Sequence, residues 1–195
     1  MPQVFNANAT IANRADFGRW CFGRNLHSFV EVGTDRGIFI EDFIKSYYAA
    51  QARSVSADKL QAPSVVCIDP YLPYPEMPWP RDADYQFAIA KLCRFRNARL
   101  LRCTSRDFLQ YIAQCDDLSW KEFRPEFVYI DADHRYESVR NDIHDWWDRV
   151  SPIGVLAGHD YDPDHPGVMR AVAEFADRVQ RSVHVVNEDD GPASW

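Results

Sequence analysis

Ser28-Phe-Val-Glu-Val-Gly-Thr-Asp-Arg-Gly37 is the stretch that decides how the chain folds. Its first half is an apolar strand, Gly33 breaks it, and Ile38-Phe-Ile-Glu-Asp-Phe-Ile-Lys45 continues with near-helical spacing through about Ala52. A strand that enters a helix through a glycine turn offers backbone N–H groups and the positive end of the helix dipole to a ligand carrying phosphate or carboxylate. Gly33 and Gly37 allow a positive φ or a close backbone approach, while Asp35 stands where a dinucleotide G-x-G-x-x-G carries its second glycine. Glu31 adds a demand, because a carboxylate inside an apolar strand needs a partner or a ligand. An ordinary strand-to-helix turn with Glu31 in a local salt bridge accounts for these residues equally well, so the surrounding chain has to decide.

Going outward, the same strand-then-helix alternation repeats. Ser64-Val-Val-Cys-Ile-Asp69 is a second strand, followed by the loop Pro70-Tyr-Leu-Pro-Tyr-Pro-Glu-Met-Pro-Trp-Pro80, whose prolines forbid helix and sheet interior. Asp82–Phe95 reads as a helix, Ala98–Cys103 as a strand, and Thr104-Ser105 as the cap of a helix over Arg106–Gln114. Glu126–Asp131 is a fourth strand, Tyr136–Val150 a helix, Pro152–Gly158 a fifth strand, Gly167–Val179 a helix and Ser182–Val186 a sixth strand. Asn187–Gly191 has hairpin-turn composition, so Pro192–Trp195 is expected as a short antiparallel seventh strand. Ahead of the first strand, residues 1–25 read as a helical cap segment, and Arg53–Ala62 reads as a polar loop. Repeated βα units with apolar strands predict an α/β fold, a doubly wound, mostly parallel sheet with helices on both faces. Ligands in such sheets sit beyond the carboxyl ends of the strands, which gathers Gly33, Asp35, Asp69, Ser105, Asp131 and Asp160 along one rim.

Composition narrows the class. The 195 residues, 46% hydrophobic and 26% charged, describe one globular domain over 1–195. No apolar run of about eighteen residues spans a membrane and the N-terminus lacks a signal-peptide pattern, so the expected compartment is the cytoplasm. Five cysteines without a C-x-x-C pair argue against a disulfide framework and against structural zinc. A formal charge of −7 disfavours nucleic acid and anionic membrane as partners.

Two polar clusters fall at adjacent strand ends: Asp131-Ala-Asp-His134 and His159-Asp-Tyr-Asp162. Clustered carboxylates repel unless a cation or proton lies between them, and hard oxygen donors favour Mg²⁺, Ca²⁺ or Mn²⁺, with Asp131 and Asp160 as the best-placed pair. His134 is the candidate general base, since an imidazole titrates near neutrality. Asp69, at the tip of the second strand, is placed to accept from both hydroxyls of a ribose. Structural roles compete: Asp133 as a helix cap, His159 bonded to nearby backbone, Asp162 as loop solvation.

Over about residues 26–195 the chain resembles a class I S-adenosylmethionine-dependent methyltransferase of the small family-24 group. Val30–Gly37, Cys67-Ile-Asp-Pro70, Phe127-Val-Tyr-Ile-Asp-Ala-Asp-His-Arg-Tyr-Glu137, Gly154-Val-Leu-Ala-Gly-His-Asp-Tyr161 and Pro166–Val172 carry the resemblance. It implies a seven-stranded Rossmann-like sheet in which Glu31, Gly33, Thr34, Asp35 and Gly37 surround the methionine part of S-adenosylmethionine, with Asp69 and Pro70 at the ribose. Thr104 and Ser105 would meet the adenine and Asp131 would face donor and acceptor together. Related divalent-metal enzymes place their ligands where Asp131 and Asp160 stand, with Mg²⁺ the implied ion. They carry a lysine where this chain has His134, and a further ligand where it has Tyr161. The implied reaction is O-methylation of a small molecule, with Asp131 and His134 catalytic; the partners are that acceptor and, in a homodimer, a second copy of the chain. Two other classes use the same scaffold: an NAD(P)-dependent oxidoreductase, against which Asp35 speaks, and a cofactor-binding protein without catalysis.

Overall fold

The structure, a computed structural model, describes residues 11–54, 62–188 and 191–195. One parallel sheet has the order β3-β2-β1-β4-β5, built from β1 (Ser28–Val32), β2 (Ser64–Ile68), β3 (Ala98–Leu101), β4 (Phe127–Ile130) and β5 (Val155–Gly158). Val32 lies opposite Ile68 on one side and Ile130 on the other, so the three central strands end level. The chain winds one way from β1 to β3 and the other way from β4 to β5. The two directions part between the carboxyl ends of β1 and β4, where an open sheet leaves its crevice.

The central strands are buried on both faces, which is why, Glu31 apart, their buried positions are continuously apolar rather than alternating. Phe29, Val65, Cys67, Phe127 and Tyr129 pack against α1 (Asp16–Gly23) and α2 (Ile38–Ser54), in a core that includes Phe17, Trp20, Phe43 and Tyr47. Val30, Val66, Ile68, Val128 and Ile130 point the other way, onto Phe108 and Ile112 of α4 (Ser105–Gln114), Val139, Ile143 and Trp146 of α6 (Tyr136–Trp147), and Val168 and Val172 of α7 (Pro166–Val179). The remaining helices are α3 (Asp82–Leu92) and a single turn, α5 (Leu118–Lys121). Local signals set the helix ends. Thr104 caps α4 by accepting from the Asp107 N–H, Pro166 opens α7, and α7 stops at Gln180 in the left-handed region (φ 54°).

The expected seven-stranded sheet is corrected to five strands plus a separate antiparallel ribbon, β6 (Val186–Glu188) with β7 (Gly191–Ser194). Of the sixth strand expected over Ser182–Val186, residues 182–185 are irregular. The ribbon's backbone engages the chain at the tip of β5, where Trp195 and Gly158 exchange hydrogen bonds of 2.9 and 3.0 Å and the Tyr161 N–H donates to the Ala193 carbonyl at 2.9 Å, and its Ser194 hydroxyl lies 2.8 Å from the Tyr129 hydroxyl of β4. Farther back along β5, where a sixth strand would pair, lies instead an apolar hollow of about 130 Å³ lined by Val155, Leu156, Val172, Phe175 and Val183. β5 itself starts later than its apolar run suggests, because the chain turns at Pro152–Gly154, with the Gly154 N–H donating to the Ser151 carbonyl at 2.8 Å. The segment 1–10, the loop 55–61 and the tip of the expected hairpin turn at 189–190 lie outside the described residues. No described helix is long and apolar enough to cross a membrane.

Candidate active site

At the crevice between β1 and β4 opens a cavity of about 670 Å³, a volume typical of small-molecule sites. Its floor is the glycine turn. Gly33 has φ +89°, its N–H donates to the Ile68 carbonyl at 2.8 Å, and a Cβ built on it would lie 1.9 Å from the Asp131 carbonyl oxygen. Only glycine lets the end of β1 pass so close to the end of β4. Glu31, 2% exposed, lines the cavity, and its Oε2 and the neighbouring Thr34 Oγ1 make no well-aligned hydrogen bond among the described residues. Burial foremost, then the charge of Asp131, pushes the Glu31 carboxyl well above its ordinary range. Such a group is what a cationic or hydrogen-bonding ligand would satisfy. Thr34, Asp35, Asp69 and Pro70 also line the cavity. Gly37 does not: its φ of +69° and the 3.3 Å separation of a built Cβ from Ala88 assign it to the packing of α2 on α3.

The proline loop is folded into a strap. Tyr74 and Met77 exchange backbone hydrogen bonds of 3.0 and 2.9 Å, and Tyr71 sits in the left-handed region (φ 51°). Asp69 joins this strap to the glycine turn: Oδ1 accepts from the Tyr71 N–H at 2.7 Å and Oδ2 from the Asp35 N–H at 2.9 Å. Burial raises the Asp69 carboxyl, while these two N–H groups and Arg81 act to lower it. The Tyr71 hydroxyl returns to the turn, donating to the Asp35 carbonyl at 2.8 Å. At the far side Thr104 and Ser105 line the cavity as expected, yet their hydroxyls already serve the fold: Thr104 caps α4, and Ser105 Oγ accepts from Trp146 Nε1 at 2.8 Å. Asp142 of α6, absent from the sequence reading, joins this wall, its carboxyl raised to about 7 by burial.

The acceptor side gathers the two polar clusters. Asp131, His159 and Asp160 bring one donor atom each to within 4.8 Å of one another, so the pair expected from sequence does converge and gains an imidazole. Asp160 holds φ 59°, an uncommon conformation for a residue with a side chain, which turns its carboxylate inward. His134 is clamped: Nε2 lies 2.8 Å from Asp160 and Nδ1 2.8 Å from Glu76 at the strap tip, the latter an ion pair without good hydrogen-bond alignment. Burial works against its charge, but Asp160 and Glu76 prevail and raise the imidazole to about 9. In this arrangement the two carboxylates favour the ring's protonated form, which makes a free base there harder to reach. Burial pushes Asp160 upward, yet His134 and His159 hold it well below the carboxylate range; burial raises Asp131 to about 6, against the pull of His159. Arg14, ahead of α1, reaches across to Asp131 at 3.3 Å. Asp133 is not the cap of α6, whose N-cap is Arg135; it closes the turn ahead of the helix, accepting from the Arg135 N–H at 3.0 Å and the Ser138 hydroxyl at 2.9 Å.

Arg14, Glu76, Arg81, Asp142 and the ligand position of His159 escaped the sequence. Each acts through a partner far away in the chain, and only the acid-rich G-H-D-Y motif hinted at one of them.

Solved structures with the same fold include an O-methyltransferase from Bacillus cereus in complex with SAH, 14% identical, TM-score 0.64, covering 96% of this chain and 83% of that one. TomG from Streptomyces achromogenes, in complex with SAM, is 15% identical with TM-score 0.60 over 95% of this chain and 79% of that one. CalS11, a calicheamicin methyltransferase, is 14% identical with TM-score 0.63 over 92% and 76%. At such identities the likeness speaks for the fold. No curated protein matches the chain in sequence. The family profile described as a methyltransferase domain matches residues 30–161, which is more than half of the chain. The chain therefore belongs to the class I S-adenosylmethionine-dependent methyltransferases, in the family-24 methyltransferase domain group.

Proposed function

We propose that the protein transfers the methyl group of S-adenosylmethionine to a hydroxyl of a small molecule. The observation that carries this reading is one continuous cavity joining the glycine turn, Glu31 and Asp69 at one end to Asp131, His134 and Asp160 at the other. Methyl transfer is an in-line displacement at a carbon already activated by the sulfonium, so its first requirement is that donor and acceptor be held end to end. In the reading proposed, the donor's amino acid part lies against Gly33, Thr34 and the buried Glu31, its ribose against Asp69, and its adenine between Ser105 and Asp142. A hydroxyl acceptor also has to lose its proton. We assign that step to Asp131, which lines the cavity at the tip of β4, and assign to protonated His134 the steadying of charge on the acceptor oxygen. A net charge of −7 and a half-enclosed cavity favour a small molecule over nucleic acid or lipid.

The donor set Asp131, Asp160 and His159 fits a divalent cation, and a mixed oxygen and nitrogen set suits Mn²⁺ or Fe²⁺ as well as Mg²⁺. Such an ion, when bound, would lower the pKa of the acceptor hydroxyl. The chain's own Arg14, His134 and His159 already balance these carboxylates.

Calorimetry with S-adenosylhomocysteine tests the division of labour. Asp69→Asn is expected to weaken binding roughly tenfold or more, through loss of charge-assisted hydrogen bonds. Asp160→Ala is expected to leave the affinity within about threefold while methyl transfer falls by roughly a hundredfold or more. The reverse order of affinities would overturn the assignment.

A further inference from the structure

Arg81 is 5% exposed, yet it belongs to none of the motifs in the sequence. It stands where the proline strap enters α3, and its guanidinium spends each side on a different carboxylate. Nη2 lies 2.5 Å from Asp35 Oδ1, Nη1 3.5 Å from Asp69 Oδ1 and Nε 3.3 Å from Asp84 Oδ2. The rings of Tyr71 and Tyr74 cover it, with centroids 5.5 and 5.9 Å from Cζ. The glycine turn, the tip of β2, the strap and the first turn of α3 thus meet at one planar cation.

The chemistry of Asp69 gives this meeting point a use. A carboxylate that reads a ribose diol must be ionised and must keep two acceptor directions turned toward the cavity. Asp69 spends one direction of each oxygen on the N–H groups of Asp35 and Tyr71, Oδ1 makes a further long contact of 3.5 Å with Arg81 Nη1, and the capacity left for a ribose is aimed by whatever fixes the carboxylate plane. Arg81 lines the cavity beside it, supplies the one cation within reach among its described ion-pair partners, and fixes Asp35 on the other flank. Arginine suits the task because its fork is rigid and permanently charged.

We propose that Arg81 is a positioning residue for the donor's ribose: through Asp69 and Asp35 it sets the carboxylate geometry that recognises the 2′ and 3′ hydroxyls. The inference rests on the donor-site reading given above and refines it.

The test measures S-adenosylhomocysteine and its 2′-deoxy analogue by calorimetry on the full chain. In the unsubstituted protein the deoxy analogue is expected to bind more weakly, by roughly tenfold, the usual size of one lost charge-assisted hydrogen bond. Arg81→Gln is expected to weaken S-adenosylhomocysteine by about tenfold or more and to shrink the preference for the 2′ hydroxyl to about twofold or less. Arg81→Lys, which keeps the charge without the fork and guards against misfolding of the first variant, is expected to fall between. A purely structural role would weaken both ligands alike and leave their ratio intact, so an unchanged ratio in both variants overturns the inference. Failure of the unsubstituted protein to bind S-adenosylhomocysteine at all would instead overturn the donor-site reading.

Discussion

Glu41 shows how a single side chain can tie two helices. Side-chain exposure is only 7%, and its carboxylate meets Lys91 at 2.7 Å, Lys45 at 2.9 Å and Arg94 at 2.5 Å, joining α2 to the end of α3. Lys91 foremost, then Lys45, lowers it from 4.5 to about 2. A carboxylate whose folded pKa is depressed contributes stability that is complete above its unfolded value and disappears as pH falls through the folded one. Glu41→Gln is therefore expected to lower unfolding stability by about 1 kcal/mol at pH 7, since Lys45 and Arg94 are half exposed and screened. Urea titrations should show the difference closing between pH 4.5 and about 2, the window set by those two values. Gly33 is the opposite case, a residue defined by what it lacks. Gly33→Ala would drive a methyl to 1.9 Å from the Asp131 carbonyl at a positive φ, so a loss of roughly 3 kcal/mol or more is expected, read as a lower Tm. Glycine and glutamate in an apolar strand are conspicuous in sequence, and Gly33, Glu31 and Asp69 were legible for that reason. Arg81 and Arg14 were not, because an arginine in a loop looks the same whether it faces water or closes an acid cluster.

At the level of elements, helices with a strong apolar stripe were read nearly to their ends: α6 buries Val139, Ile143 and Trp146 on one side, as its spacing predicts. The single turn α5 was missed, since four residues capped by Asp117 carry no period. The ribbon after α7 was anticipated as a hairpin but misassigned to the sheet, because nothing in five or six residues says which neighbour a short strand will take. What the ribbon does instead is brace the acceptor side. Trp195 Nε1 donates to the His159 carbonyl at 3.2 Å, and the indole covers Gly158, where a Cβ would lie 2.5 Å from the ring. The turn that holds Asp160 at positive φ is thus supported from outside. Trp195→Ala is expected to slow methyl transfer by about tenfold while S-adenosylhomocysteine affinity stays within about twofold, because the donor contacts are remote from it. Steady-state kinetics beside calorimetry would show that split, and equal losses in both would refute the bracing role.

For the molecule as a whole, the rim on which the acids and glycines assemble follows from two rules alone, strand alternation with helices and ligands beyond the carboxyl ends. That much was available from the order of apolar runs. The strap, the arm bearing Arg14 and the pairing of Glu76 with His134 were beyond reach, because loop paths depend on contacts that no periodicity records. One consequence of the ribbon reaches past catalysis. A parallel sheet of five strands has two borders, and bare borders invite other chains to add on. On the β5 side, Ala193 and Trp195 already engage the backbone at the tip, and on the other side β3 carries the exposed Arg99 in mid-strand. Aromatic bulk at the tip of one margin and an exposed charge on the other both work against sideways pairing with another chain.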